Sequence, residues 1–155
     1  MVSTLYLDTS ALVKRYLGET GSDWITALLD GDRALTCLTS HLTIIEGVCT
    51  FARRRREGLL APADCTRILA AFDYDFEYRY DIVSLEPEVI DVARQMADRN
   101  PLRAYDAVQM ASAWLTNQKL VQAGRAPLAF VCADDRLIAI AQAEGLLTDN
   151  PNDHA

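Results

Sequence analysis

The sequence is poor in the side chains that most often build zinc sites and nucleophilic centres. It contains four cysteines and two histidines. The cysteines are scattered, without the Cys-x-x-Cys pair or the nearby histidine of a zinc site. Cys37, Cys49 and Cys132 fall within apolar segments, so we expect them to be small core residues in a reducing compartment. His41 and His154 stand alone, and a histidine-based mechanism therefore has little to draw on.

A long apolar run is also missing. No stretch approaches the roughly 18 apolar residues that a membrane-spanning helix needs. No basic segment precedes an apolar stretch at the start of the sequence, as it would in a signal peptide. We therefore expect a cytoplasmic protein that does not associate with a membrane.

The sequence has no excess of positive charge. Its 15 Lys and Arg residues are outnumbered by 22 Asp and Glu residues, which gives a net charge of −7. This balance argues against binding nucleic acid through the overall field, but it allows a local basic strip. The concentrated basic run is Arg53-Arg54-Arg55-Arg56. It is either a solvated helix end or a site where Arg53 and Arg54 bind RNA phosphates.

What the sequence does contain is a regular alternation of predicted strands and helices. With 155 residues, half of them apolar, the chain can form one domain with a substantial core. The alternation predicts an α/β fold with a central, mostly parallel sheet of four to five strands, flanked by about seven helices. We place this domain at residues 1–148 and expect the polar tail, 149–155, to be disordered.

The segment Leu-Tyr-Leu-Asp-Thr-Ser, residues 5–10, organises the rest of the chain. Its apolar residues lead directly into an acid and then into a helical pattern. We interpret it as a buried strand that ends at Asp8, with Thr9 or Ser10 capping the following helix. In α/β sheets the carboxyl ends of the strands are where binding sites form. By itself, however, Asp8 is equally well explained as a loop or capping residue.

Three further acids occupy comparable places. Asp134 also follows an apolar strand, while Glu46 and Asp106 are embedded in otherwise apolar helices. Each has an ordinary explanation, because Glu46 could tilt to solvent and Asp106 could complement a helix dipole. If the strand ends are neighbours, all four carboxylates can instead meet at one edge of the sheet. Their mutual repulsion would then favour Mg²⁺ or Mn²⁺, which prefer oxygen ligands and activate water for phosphodiester hydrolysis.

Four blocks of the sequence resemble the PIN-domain family, specifically the toxin ribonucleases of VapBC-type toxin–antitoxin pairs. The blocks are residues 7–14, 40–46, 102–107 and 130–137, and the resemblance extends from residue 5 to about residue 147. It implies that the catalytic, metal-binding acids are Asp8, Glu46, Asp106 and Asp134. It also implies that Ser10 supports the site through a hydrogen bond. Asp135 is adjacent to Asp134, and either could be the fourth acid.

The resemblance further implies a Mg²⁺- or Mn²⁺-dependent endoribonuclease toxin. Its expected partners are an RNA substrate, such as a tRNA or another structured RNA, a cognate VapB-type antitoxin that inhibits it, and a second copy in a homodimer. Cys132 stands where family members often have Ser or Thr. The alternative is a catalytically inactive PIN fold that serves as an RNA- or protein-binding module.

Overall fold

A computed structural model describes residues 2–31 and 34–154 of the chain. Its centre is a sheet of five parallel strands in the order β3-β2-β1-β4-β5. The strands are β1 (Thr4–Leu7), β2 (Thr36–Ser40), β3 (Asp81–Val83), β4 (Ala129–Val131) and β5 (Leu147–Asp149). The predicted fold class is confirmed, including the strand number and the parallel pairing.

Helices cover both faces of the sheet. Within the described residues they are α1 (Thr9–Leu12), α2 (Ser22–Gly31), α3 (His41–Arg56), α4 (Pro62–Tyr78), α5 (Pro87–Arg99), α6 (Ala104–Gln122) and α7 (Asp135–Ala143). Two short 3-10 helices, Val13–Arg15 and Pro151–His154, complete the pattern. Several boundaries follow local chemistry: Ser40 caps α3, and Pro87 begins α5, where its missing N–H costs nothing.

The central strand β1 divides the core into two apolar layers. Alternate side chains of a strand point to opposite faces, so Tyr6 packs with Phe130 on one side and Leu7 packs on the other. The first layer lies under α5, α6 and α7, and the second lies under α1 to α4. Because a parallel sheet is covered on both faces, β1 is buried along its whole length.

The strand order places a topological switch point at the middle of the sheet. From β1 the chain builds outward through β2 and β3, then returns to the other side of β1 to form β4 and β5. The segments after β1 and β4 therefore diverge at the carboxyl edge of the sheet and leave a crevice between them, which is where ligands bind in such folds.

The end of the chain differs from the predicted disordered tail. Asp149 lies in β5, and residues 151–154 form a 3-10 helix in which the His154 ring stacks on Trp24 at 4.1 Å between centroids. Asn150 is buried, and its amide donates to Asp135 at 2.7 Å. A polar composition suggested disorder, but the tail finds specific partners that a pattern of single residues does not reveal.

The cysteines are free thiols. Cys37 and Cys132 are buried as expected, but the prediction for Cys49 is wrong because this side chain is exposed on α3. None of the helices in the described part of the chain combines the length and hydropathy needed to cross a bilayer.

Candidate metal-binding and nuclease site

Two acids follow adjacent strands at the switch point. β1 ends at Leu7 and Asp8 is the N-cap of α1, while Asp134 is the N-cap of α7, three residues after β4 ends at Val131. β1 and β4 are parallel neighbours, so both acids lie at the carboxyl edge of the sheet. This much of the predicted convergence follows from topology alone.

Asp8 is 7% exposed and is held in place by Ser10. Its Oδ2 accepts hydrogen bonds from the Ser10 backbone N–H at 3.0 Å and from the Ser10 hydroxyl at 2.6 Å. The same hydroxyl oxygen accepts from the Ala133 N–H at 3.0 Å, which ties the segments after β1 and β4 together. The helix cap is thus Asp8 itself rather than Thr9 or Ser10, because its carboxylate accepts from the Ser10 N–H in the first turn of α1.

The environment of Asp8 disfavours its negative charge. Burial is the main cause that raises the pKa of Asp8 to about 6, and the charges of Glu46 and Asp106 raise it further. The hydrogen bonds from Ser10 oppose this change but do not cancel it. Glu46 and Asp106 therefore both lie within electrostatic reach of Asp8.

Glu46 is half-buried and held by two side chains, so it does not tilt freely to solvent. Its Oε1 accepts from the Thr9 hydroxyl at 2.9 Å and from the Gln109 amide at 3.0 Å. Thr9 belongs to α1 and Gln109 to α6, so the carboxylate lies where three helices meet.

A single arginine links the other two acids. Arg136 Nη2 donates to Asp106 Oδ2 at 2.8 Å and lies 3.5 Å from Asp134 Oδ2. Asp134 also accepts from two backbone N–H groups at the start of α7. Asp135 points elsewhere, since its carboxylate accepts from Asn150. The structure thus associates Asp134, and not its neighbour, with Asp106.

Cys132 contributes a thiol beside Asp8. Its Sγ lies 3.6 Å from Asp8 Oδ2 and 3.5 Å from the Ser10 hydroxyl. Burial, followed by the nearby Asp8 charge, raises the pKa of this thiol, so it stays protonated at neutral pH. Among residues 2–31 and 34–154, no three carboxylate, imidazole or thiol groups are close enough together to form a ready-made metal site.

Glu46 borders a cavity of about 590 Å³ that also carries basic side chains. Glu46, Arg53 and Arg54 line one side, and Arg103 and Tyr105 line another. Arg53 lies two turns after Glu46 on α3, as their seven-residue spacing predicted. Arg54 is engaged elsewhere, because its Nη2 pairs with Glu19 at 2.6 Å.

Three contributors to this region were not predicted from the sequence. Arg103 and Arg136 each lie within three residues of an acid in the sequence, but only the fold pairs Arg136 with Asp106 and places Arg103 in the cavity beside Glu46. Gln109 could have been found, because it follows Asp106 by three positions and therefore lies near it on the same helix face.

Comparison with known proteins identifies the family. Residues 5–143 match the profile described as the PIN domain. The fold is similar to the crystal structure of FitAcB from Neisseria gonorrhoeae, with a TM-score of 0.60 and 16% identity over 95% of this chain and 97% of that chain. It is also similar to PAE2754 from Pyrobaculum aerophilum, with a TM-score of 0.59 and 21% identity over 95% of this chain and 89% of that one. No protein with a curated description matches. The chain belongs to the PIN domain family, whose members are generally nucleases.

Proposed function

We propose that this protein is a Mg²⁺- or Mn²⁺-dependent endoribonuclease, and specifically a VapC-type toxin that a cognate antitoxin inhibits. One observation carries the proposal: in a PIN-domain chain, the buried Asp8 lies at the switch point of the sheet, within electrostatic reach of Glu46 and Asp106. The four sequence blocks that resemble VapC-type toxins contain these same acids.

The donor set fits a hard divalent cation. Asp8, Glu46, Asp106 and Asp134 offer only oxygen ligands, which Mg²⁺ and Mn²⁺ prefer. The Arg136 guanidinium between Asp106 and Asp134 supports the same conclusion, because these two carboxylates already accommodate a positive group. When bound, the ion would activate water and neutralise charge that develops on the phosphate.

The chain's own residues would hold the acids in position. Ser10 fixes Asp8 and joins it to the segment after β4. Thr9 and Gln109 fix Glu46. Because hydrogen bonds already hold Asp8 and Glu46 in place, these two carboxylates lose little freedom on binding a cation.

The cavity beside Glu46 is suited to RNA. Arg53 and Arg103 are exposed and line its rim, where they can bind phosphates despite the acidic net charge. The Tyr105 ring is 54% exposed and can stack on an unpaired base. Arg54 contributes less in this proposal because Glu19 already engages it.

The apolar surface next to the site supports a protein partner. Ile45 is 59% exposed and Val48 is 39% exposed on α3, beside Glu46. An antitoxin that covers this surface would shield both the acids and the cavity. The same chemistry would suit a second copy of the chain, so we retain the homodimer as part of the proposal.

The experiment is cleavage of a mixed set of tRNAs and other structured RNAs by the purified protein. Reactions would contain Mg²⁺, Mn²⁺ or EDTA, and would include Asp8→Asn, Asp106→Asn and the exposed control Asp98→Asn. We expect metal-dependent cleavage by the wild-type protein and Asp98→Asn, and none by the two site variants. Cleavage that persists in both site variants would refute the site assignment.

The RNA contact has its own test. Arg53→Gln and Arg103→Gln should weaken binding to a cleaved RNA and reduce the salt slope by about one each. Arg55→Gln, on the same helix but outside the cavity, is the matched control. Equal affinities for all four proteins would refute the phosphate contact.

Further measurements test the proposed antitoxin and the alternative that the protein is an inactive binding module. Light scattering gives the mass of the protein purified under native conditions and again after refolding from denaturant. A small protein that is lost on refolding, and that inhibits cleavage when added back, would be the expected antitoxin. If the refolded protein neither binds Mn²⁺ nor cleaves any RNA in the set, the binding-module alternative is favoured.

A further inference from the structure

A buried amide lies directly behind Glu46. Gln109, on the first half of α6, is 1% exposed and makes hydrogen bonds with four side chains. Its Nε2 donates to Glu46 Oε1 at 3.0 Å and lies 2.8 Å from Thr43 and 3.1 Å from Thr9. Its Oε1 accepts from the Tyr6 hydroxyl at 2.8 Å. These contacts connect the central strand with α1, α3 and α6.

The chemistry of the partners fixes which way the amide points. An ionised carboxylate only accepts hydrogen bonds, so the NH₂ end of Gln109 must face Glu46. The opposite end must then face a donor, and the Tyr6 hydroxyl is that donor.

The network engages one oxygen of Glu46 and leaves the other available. Both Thr9 and Gln109 donate to Oε1. Within residues 2–31 and 34–154, Oε2 receives no hydrogen bond. Holding one carboxylate oxygen in this way restricts rotation of the group and presents the second oxygen in a defined direction.

We propose that Gln109 is a positioning residue that orients the Glu46 carboxylate for a divalent cation, with Tyr6 fixing the direction of its amide. This inference rests on the proposed metal site and adds a residue that does not itself contact the cation. Groups of this kind typically change metal affinity or activity 10- to 100-fold when they are removed.

Asn117 provides a control, because it is a buried amide that has no contact with the acids. Asn117, on the same helix, is also buried, and its Oδ1 accepts from the Leu128 N–H at 3.0 Å, away from the acids. Asn117→Leu and Gln109→Leu each remove a buried amide from α6. Both should lower stability to urea, but only Gln109→Leu should alter the metal site.

The experiment measures Mn²⁺ affinity by titration calorimetry and stability by urea unfolding for the wild-type protein and three variants. We expect Gln109→Leu to bind Mn²⁺ about 10- to 100-fold more weakly. Tyr6→Phe keeps the Gln109 amide and removes only the hydroxyl that donates to it, so the Mn²⁺ affinity of this variant should fall less. Asn117→Leu should bind Mn²⁺ like the wild-type protein.

The outcomes separate this inference from the proposed function. If the wild-type protein binds Mn²⁺ and Gln109→Leu binds it equally well, the positioning role is refuted and the metal site stands. If Gln109→Leu does not fold, unchanged Mn²⁺ affinity in Tyr6→Phe refutes the role instead. If the wild-type protein binds no Mn²⁺, the proposed function and this inference both fail.

Discussion

Replacing Asp8 by Asn should make the metal-free protein more stable at neutral pH. The ionised carboxylate is 7% exposed and faces the charges of two other acids. Asn has nearly the same shape and can still accept the Ser10 hydrogen bond, but it carries no charge. The substitution therefore removes the repulsion while keeping most of the local structure.

The magnitude follows from the pKa of Asp8, which rises from 3.8 to about 6 on folding. The folded protein binds the proton more tightly than the unfolded chain, so ionisation of Asp8 lowers stability. The cost is absent well below pH 3.8, grows as pH rises towards 6, and is complete above it. A difference of about two pKa units corresponds to about 3 kcal/mol at pH 7.5 and about 1 kcal/mol at pH 4.5.

The assay is urea unfolding in EDTA at both pH values, with Asp98→Asn as a control that removes an exposed acid. We expect Asp8→Asn to exceed the wild-type stability by about 3 kcal/mol at pH 7.5, with most of the advantage lost at pH 4.5. Added Mn²⁺ should stabilise the wild-type protein and not the variant. An advantage that is absent, or equal at both pH values, would refute the electrostatic explanation.

Three further predictions concern packing, a buried ion network and the arginine beside the acids. Gly47→Ala would place a methyl group 2.5 Å from the Phe72 ring, so we expect a loss of about 1–2 kcal/mol in urea unfolding. Asp75→Ala removes a buried carboxylate that binds two arginines and a tyrosine, and should cost about 3–5 kcal/mol in the same assay. Arg136→Gln removes the cation that competes for two of the acids, and should tighten Mn²⁺ binding measured by calorimetry.

Each of these predictions has an outcome that would contradict it, and the Gly47→Ala substitution also has a matched control. Gly31→Ala introduces the same methyl group into α2, where nothing lies within 4 Å, and should not destabilise the protein. Equal effects of the two glycine substitutions would contradict the packing argument. Wild-type stability in Asp75→Ala would mean that its arginine partners find other anions. Weaker Mn²⁺ binding by Arg136→Gln would mean that Arg136 organises the acids instead of competing for them.

Local patterns in the sequence were sufficient to predict most of the architecture. The alternation of apolar runs and helical patterns predicted a mostly parallel sheet of four to five strands with about seven helices, which is the arrangement observed. The predicted strand number stayed between four and five because β5, Leu147–Asp149, has too few residues to show a period. The exposure of Cys49 was missed, because a helical pattern does not reveal which apolar residues lack a covering element.

The candidate site was predictable only in part. The places of Asp8 and Asp134 follow from strand ends in a parallel sheet. Glu46 and Asp106 were noticed as acids within apolar helices, and the sequence resemblance implied their metal-binding role. The sequence could not reveal that Arg136 bridges Asp106 and Asp134, since that contact joins residues 30 positions apart. It also could not reveal that Arg54 is engaged by Glu19 and so differs from Arg53.

The sequence by itself therefore determined the alternating α/β pattern and the family, and it singled out the candidate acids, because these depend on residue type and on spacing along the chain. Tertiary structure decided which polar groups are buried and which partners they meet. Gln109 illustrates the difference: its position on α6 is readable from the sequence, but its hydrogen bonds to Tyr6 and Glu46 span 103 and 63 residues. Such contacts exist only once the sheet and its helices have packed together.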